Sequence, residues 1–149
     1  MTASSEVRQP ASAADLSALL AADPVAAGLG IRFVEGEVGR VVLEMTISDA
    51  QCNFLGGGHG GVVFTFADMA FGLASNARGI IAVGIDAHIA YARGVAPGDC
   101  LRATATEISR TNRLGVYRVD VERGDEHIAT FTGTVFVTGR ALASKPGTD

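Results

Sequence analysis

Apolar residues follow two different periods along the chain, and the switches between them lay out the elements. Leu16, Leu19 and Leu20 follow Ser12-Ala13-Ala14-Asp15 at helical spacing, predicting a short capped helix that Asp23-Pro24 should end. From Ile31 a period of two takes over. Ile31 and Phe33, then Val41, Leu43, Met45 and Ile47, alternate with Arg32, Arg40, Glu44 and Thr46, which predicts two strands separated near Gly36 to Gly39. After an irregular stretch from Asp49 to Gly58, the run Gly60 to Ala77 contains no proline and is rich in Val, Phe, Ala, Met and Leu, so it reads as one long helix. Four extended runs follow: Ile80 to Tyr91, Asp99 to Ser109, Gly115 to Glu122 and His127 to Thr138. Turn material separates them at Arg93-Gly94-Val95-Ala96-Pro97-Gly98, Arg110 to Leu114, and Arg123-Gly124-Asp125-Glu126.

The expected fold class is therefore α+β, with a helix, two strands, one long apolar helix and four strands in a meander. An antiparallel sheet wrapped around the long helix satisfies this order, because a helix apolar around most of its circumference needs cover on most sides. Residues 11–140 are read as a single domain, flanked by an N-terminal tail, 1–10, and a C-terminal tail, 141–149.

Composition narrows the function classes. A chain of 149 residues that is 48% hydrophobic and 19% charged is not disordered, and its apolar content fits a dense core or a substantial subunit interface. A formal net charge of −4 supplies no broad attraction to nucleic acid or to an anionic membrane, so neither partner is expected. The N-terminal residues lack the charged and apolar regions of a secretory signal, and no apolar run reaches membrane-spanning length, so a cytoplasmic location is expected. Cys52 and Cys100 lie far apart without a paired-ligand spacing; two buried free thiols are expected, with no zinc site and no metal.

The polar exceptions on the long helix carry the candidate chemistry. Thr65, Asp68, Gly72 and Ser75 recur at spacings of three and four and fall on one stripe. Asp68 is the only charged residue between His59 and Arg78. Burial there raises a carboxylate's pKa, as enzymes arrange for a base or nucleophile; the other reading is an aspartate satisfied by a nearby backbone or hydroxyl group. At the helix start, Gly56-Gly57-Gly58-His59-Gly60-Gly61 leaves backbone N–H groups accessible at the positive end of the dipole. Such a start can stabilise the oxyanion of acyl transfer, or it can be only a flexible glycine turn. The eight residues from Gly60 to Asp68 put roughly 12 Å between the two features along the axis, too far to act on one small group. If both are catalytic, a homodimer with antiparallel helices brings Asp68 of one subunit towards the helix start of the other.

The segment Asn53 … His59-Gly60-Gly61-Val62-Val63-Phe64-Thr65-Phe66-Ala67-Asp68-Met69-Ala70-Phe71 resembles the PaaI-type acyl-CoA thioesterases of phenylacetate catabolism. The resemblance runs through the strand order and the Arg93 … Pro97-Gly98-Asp99 turn, over most of Gly28 to Gly139. It implies a hot-dog fold, with Asp68 as general base or nucleophile, Gly60 as backbone donor to the thioester carbonyl, and His59 and Asn53 shaping or hydrogen-bonding the site. It also implies an aryl-acyl-CoA substrate of phenylacetyl or hydroxyphenylacetyl type, with coenzyme A as part of the substrate rather than a cofactor, and a homotetramer built as a dimer of dimers. Phe54 and Met69 depart from the family, which often has glycine after the asparagine and a small polar residue after the aspartate.

Gly61 and Thr65, with Arg93 and Arg113, are the candidate substrate contacts. Arg93, Arg110, Arg113 and Arg123 lie at strand ends or turns, where arginines can clamp the phosphates of coenzyme A, Arg93 and Arg113 being the leading pair. Phe64, Phe66 and Phe71 fit an aromatic acyl pocket. His88 shares a strand face with Asp86 and forms either an acid–histidine pair or a structural or exposed residue; His127 sits at a hairpin and is expected to face solvent.

Competing readings are weaker. Gly56, Gly58 and Gly61 fit G-x-G-x-x-G, but Asp49 to Leu55 separates them from the preceding strand and no crossover helices follow. An acyl-CoA-binding sensor or a hot-dog hydratase keeps the same fold without hydrolysis.

Overall fold

The structure, a computed structural model, describes residues 9–143, so most of both expected tails lies outside the described residues. Helix α1 (Ala13–Ala21) starts at a capping box: Asp15 N–H donates to Ser12 Oγ at 3.1 Å, and Ser12 N–H donates to Asp15 Oδ2 at 2.8 Å. Asp23-Pro24 does more than stop this helix. Asp23 caps the N–H groups of Val25 and Ala26, and Pro24 occupies the first turn of a second helix, α2 (Pro24–Leu29), which the sequence reading did not anticipate. Left-handed Gly30, at φ 68°, ends it.

Strands β1 (Arg32–Glu37) and β2 (Arg40–Thr46) form the first hairpin. The long helix α3 (Gly60–Asn76) and strands β3 (Ile80–Tyr91), β4 (Cys100–Arg110), β5 (Leu114–Arg123) and β6 (Glu126–Ala141) follow in the expected places. Asn76 finishes α3 and starts β3 in register, because its amide donates to Gly72 and Ala82 carbonyls and accepts the Ala82 N–H.

The sheet is antiparallel with strand order β1-β2-β4-β5-β6-β3. The expected meander therefore holds for β4, β5 and β6 but not for β3, which lies at the far edge beside β6. Loop length explains the difference. Short turns close the β4–β5 and β5–β6 hairpins, whereas residues 92–99 are enough chain to cross the end of the sheet. That crossing is pinned where Val95, itself buried, accepts the Gly58 N–H at 2.7 Å.

The core lies between α3 and the concave face of the sheet. Phe66, Ala67, Ala70, Phe71 and Ala74 of α3 are buried against inward residues such as Val41, Leu43, Leu101, Tyr117, Val119 and Phe131. Phe71 packs at 5.4 Å from the Phe131 ring and 5.9 Å from the Tyr117 ring. Gly133 admits it: a Cβ there would lie 2.7–2.9 Å from three atoms of the buried Phe71 ring, which packs against Phe131 and Tyr117 and would have to shift. Gly133→Ala is expected to lower stability by about 1–3 kcal/mol, read as a lower urea midpoint with an unchanged m-value. An unchanged midpoint would show that the ring shifts without cost.

Among the described residues no helix is long and apolar enough to cross a membrane. Cys100 is exposed and Cys52 half-buried, so the thiols are free but not buried as expected; Cys100 opens β4 on its outward face, beside Arg32.

Candidate active site at the start of the central helix

Asn53 builds the loop that delivers the helix. Its Oδ1 accepts N–H groups from Leu55 at 2.9 Å and Gly57 at 3.3 Å, and its backbone pairs with Gly56 and Gly57. The Asn53 Nδ2 donates to no group among the described residues, so it remains available to a ligand. Gly58 lets this loop touch the crossing segment, since a Cβ there would lie 2.4 Å from Val95 Cγ2.

His59 is the N-cap of α3. Its Nδ1 accepts the Gly61 N–H at 2.9 Å, and its carbonyl accepts from Val62 and Val63. The accessible donor is thereby narrowed to one. Gly61, expected as a substrate contact, has its N–H occupied by His59, whereas the Gly60 N–H donates no hydrogen bond among the described residues. Gly60 lines a cleft of about 270 Å³ with Gly58, Val63, Tyr91, Ala92, Arg93, Gly94 and Val95.

Asp68 lies two turns further along the same helix, on the side that the sheet leaves open. Gly61 and Asp68 are exposed, and Thr65 and Gly72 are half-buried. No group among the described residues donates to the Asp68 carboxyl, so the reading of a locally satisfied aspartate fails within the chain. Desolvation by the surrounding chain raises its pKa above the ordinary aspartate value even though the residue is solvent-exposed in a single subunit. Thr65 commits its proton to the Gly61 carbonyl at 2.9 Å and keeps its oxygen as an acceptor. Ser75 keeps its place on the stripe but is buried near the helix end, where it donates to Gly72 O.

The arginines do not converge as one cluster. Arg93 is exposed at the cleft and pairs through Nε with Glu126 at 3.1 Å; Arg123 bridges Asp99 and Glu126 beside it. Arg113 lies beyond the other end of β5, about 30 Å away at strand rise, so within one chain Arg93 and Arg113 cannot share a phosphate group. Arg110 is structural: its Nη1 donates to Ser75 O and to Tyr117 Oη, both at 2.8 Å. That Tyr117 hydroxyl donates in turn to Glu107 at 2.8 Å, and burial pushes its pKa up to about 12.

Other expectations change as well. Phe66 and Phe71 are core residues with 0% and 3% exposure, facing the chain's own sheet; of the three only Phe64 is half-buried, its ring edge-on to that of Phe131 at 5.4 Å. Asp86 and His88 are both exposed and share no hydrogen bond, with a bulge just before Asp86. His127 is exposed and meets Thr130 at 2.9 Å. Among the described residues no group of His, Cys, Asp and Glu is arranged to hold a metal. The sequence reading missed Tyr91, whose hydroxyl reaches Gly60 across 31 positions; as the last residue of an apolar strand it carried no local signal.

Known proteins match both sequence and architecture. The sequence model of the thioesterase superfamily matches residues 55–130. A putative esterase of Archaeoglobus fulgidus is 34% identical over 109 residues, covering 72% of this chain and 71% of that one. The acyl-coenzyme A thioesterase PaaI of Escherichia coli K12 is 34% identical over 112 residues, 74% of this chain and 80% of that one. The solved structure of Escherichia coli PaaI, from the phenylacetic acid degradation operon, superposes with a TM-score of 0.83 at 30% identity, covering 87% of this chain and 95% of that one. A Streptococcus mutans UA159 protein solved bound to acetyl CoA superposes with a TM-score of 0.72 at 30% identity, over 74% of this chain and 90% of that one. With its long helix held in an antiparallel sheet and its glycine-rich helix start, the chain belongs to the thioesterase superfamily as a PaaI-type hot-dog enzyme.

Proposed function

We propose that the protein hydrolyses acyl-CoA thioesters, with an arylacetyl group of phenylacetyl or hydroxyphenylacetyl type as the acyl portion. The observation that carries the reading is the Gly60 N–H, which donates no hydrogen bond among the described residues, at the positive end of α3 where Gly60 lines a cleft. A thioester carbonyl accepting this N–H gains most when it becomes an oxyanion, so the interaction favours the transition state over the bound substrate. Asn53 Nδ2, in the loop that leads into the helix, is the candidate second donor. Asp68 acts as general base on water, which adds to the carbonyl and displaces the coenzyme A thiolate, or itself attacks and displaces that thiolate to form an anhydride that water resolves to the free acid and the Asp68 carboxylate. The coenzyme A is part of the substrate and no further cofactor takes part. Arg93, exposed at the cleft mouth, is the candidate contact for its phosphates, with Thr65 towards the acyl side.

The reading includes a homodimer, because Gly60 and Asp68 of one helix stand roughly 12 Å apart. Exposure supports it. Strand β3 is a free edge carrying Val83 and Ile85, which are 45% and 58% exposed, and Phe54 beside Asn53 is 97% exposed. Two β3 edges joined about a twofold axis would set the α3 helices antiparallel and bring each Asp68 to the other's Gly60. Pairing of two such dimers into a tetramer belongs to the same proposal.

Thiol release measured across phenylacetyl-, hydroxyphenylacetyl- and straight-chain acyl-CoAs tests this. Turnover is expected with all classes and the highest kcat/KM with the aryl ones. Equal or better use of straight chains overturns the aryl preference, and no release from any of them favours a sensor that binds acyl-CoA without cleaving it.

A further inference from the structure

The Gly60 amide is held by a side chain that the reaction itself does not use. Gly60 and Gly61 are the first two residues of α3, and glycine forms helix poorly, so an unsupported first turn of this kind frays. The peptide group joining them is gripped at both ends. Tyr91 Oη donates to the Gly60 carbonyl at 2.6 Å, and the Gly61 N–H donates to His59 Nδ1 at 2.9 Å. One grip comes from the helix cap and the other from the last residue of β3, where pairing with Ala129 of β6 anchors the tyrosine backbone.

The neighbouring peptide carries the free N–H. Its carbonyl, on His59, accepts from Val62 and Val63, and a trans peptide points N–H opposite to C=O. The Gly60 N–H is thereby aimed out of the helix end, provided that the first turn stays wound. Gly60 also lets the tyrosine come close, since a Cβ there would lie 3.3 Å from Tyr91 Cζ and Oη. Desolvation raises the phenol pKa, which keeps the hydroxyl protonated and donating.

We infer that Tyr91 is a positioning residue of this site: its hydroxyl clamps the Gly60–Gly61 peptide and so fixes the direction in which the Gly60 N–H meets a thioester carbonyl. The catalytic consequence rests on the acyl-CoA reading, whereas the clamp itself is a property of the free protein.

Tyr91→Phe keeps the ring and removes only the hydroxyl. In the full-length protein kcat should fall about tenfold with KM within about twofold of native, since the lost interaction acts on the transition state. The Gly61 amide proton should exchange about tenfold faster, as expected for a first turn that opens more often. The thermal midpoint should stay close to native, because Tyr91 is half-exposed at a strand end. A native kcat overturns the inference. So does a rise in KM alone, or a fall in kcat with native Gly61 exchange, since either makes Tyr91 only a wall of the cleft. If the native protein cleaves no acyl-CoA, the functional reading fails separately, and the Gly61 exchange rate still decides the clamp.

Discussion

Asp68→Asn should lower turnover by about 10³-fold, the range associated with loss of a positioned base, and should at the same time raise the thermal midpoint at neutral pH. Both effects follow from one property. The chain around Asp68 desolvates its carboxyl and, among the described residues, offers it no hydrogen-bond donor, so its pKa is raised in the folded state. A raised pKa means that the native state holds the proton more tightly than the unfolded chain. The stabilisation from the protonated form is complete below the ordinary aspartate pKa and is lost as pH rises through the raised one. At neutral pH the native protein therefore carries an ionised group in an unfavourable place, and asparagine relieves this at nearly equal volume. Solvent exposure of Asp68 keeps the gain modest. The gain should vanish in acid, where aspartate is neutral in both states. On the kinetic side, a base must be ionised to act, so native kcat/KM should fall on the acid side through a pKa raised above the ordinary aspartate value. Paired melting curves and rates at neutral and acid pH check all of this. A variant that keeps its rate removes Asp68 from the mechanism, and one that loses stability gives the carboxylate a structural role.

Gly60→Pro should cost about 10²–10³ in kcat, as for loss of one oxyanion donor, while leaving α3 intact. Proline is normally a harsh substitution in a helix, but position 60 is where it fits. The first helical residue has no intrahelical use for its N–H, and His59 before it is already extended, at φ −69° and ψ 127°. The change deletes one donor and keeps the helix wound, while its Cβ meets Tyr91 as that of alanine would, so Gly60→Ala is the control for that contact. Gly60→Ala keeps the donor but brings a Cβ to 3.3 Å from the Tyr91 hydroxyl, so a smaller loss is expected. Circular dichroism should show native helix content in both. The two inactive variants, Asp68→Asn and Gly60→Pro, also test the cross-subunit arrangement when mixed and allowed to exchange subunits. In a mixed dimer one site receives Asp68 and Gly60 both native, so activity should return. Sites confined to single chains would give no recovery, and the proposed dimer would have to be abandoned.

Much of this molecule is legible in its sequence, and for a local reason. Helical and strand periods, the Ser12 cap and the turns at Arg123 to Glu126 all depend on residues within a few positions of each other. Element boundaries from α3 to β6 accordingly fall within three residues of the expected ones, with β3 matching at both ends. Asp68 stood out because a single charge on an otherwise apolar helix is a local anomaly, and the His59-Gly60-Gly61 start because three small or capping residues adjoin. Asp23-Pro24 was half read: the same pair that stops one helix opens the next, and only the cap geometry distinguishes a stop from a stop followed by a start.

What tertiary structure alone decided depends on contacts between distant residues. The edge position of β3 follows from a crossing segment long enough to bypass the nearest strand, a choice among partners that alternation cannot express. Phe66 and Phe71 proved to be core residues because the curvature of the sheet covers their face of the helix, while Phe64 turns partly away from it. Arg93 and Arg113 were separated by the length of β5, and Arg110 was drawn into the end of α3. The ring of His59 takes the Gly61 N–H and leaves that of Gly60 open, while the grip on the Gly60 carbonyl comes from a tyrosine 31 positions away. The sequence by itself determined the elements, the family and the two halves of the candidate chemistry, since these are written in short-range periods and neighbours. The fold determined what clamps the first turn of α3 and which side of the helix stays open, because those depend on where the chain returns in space.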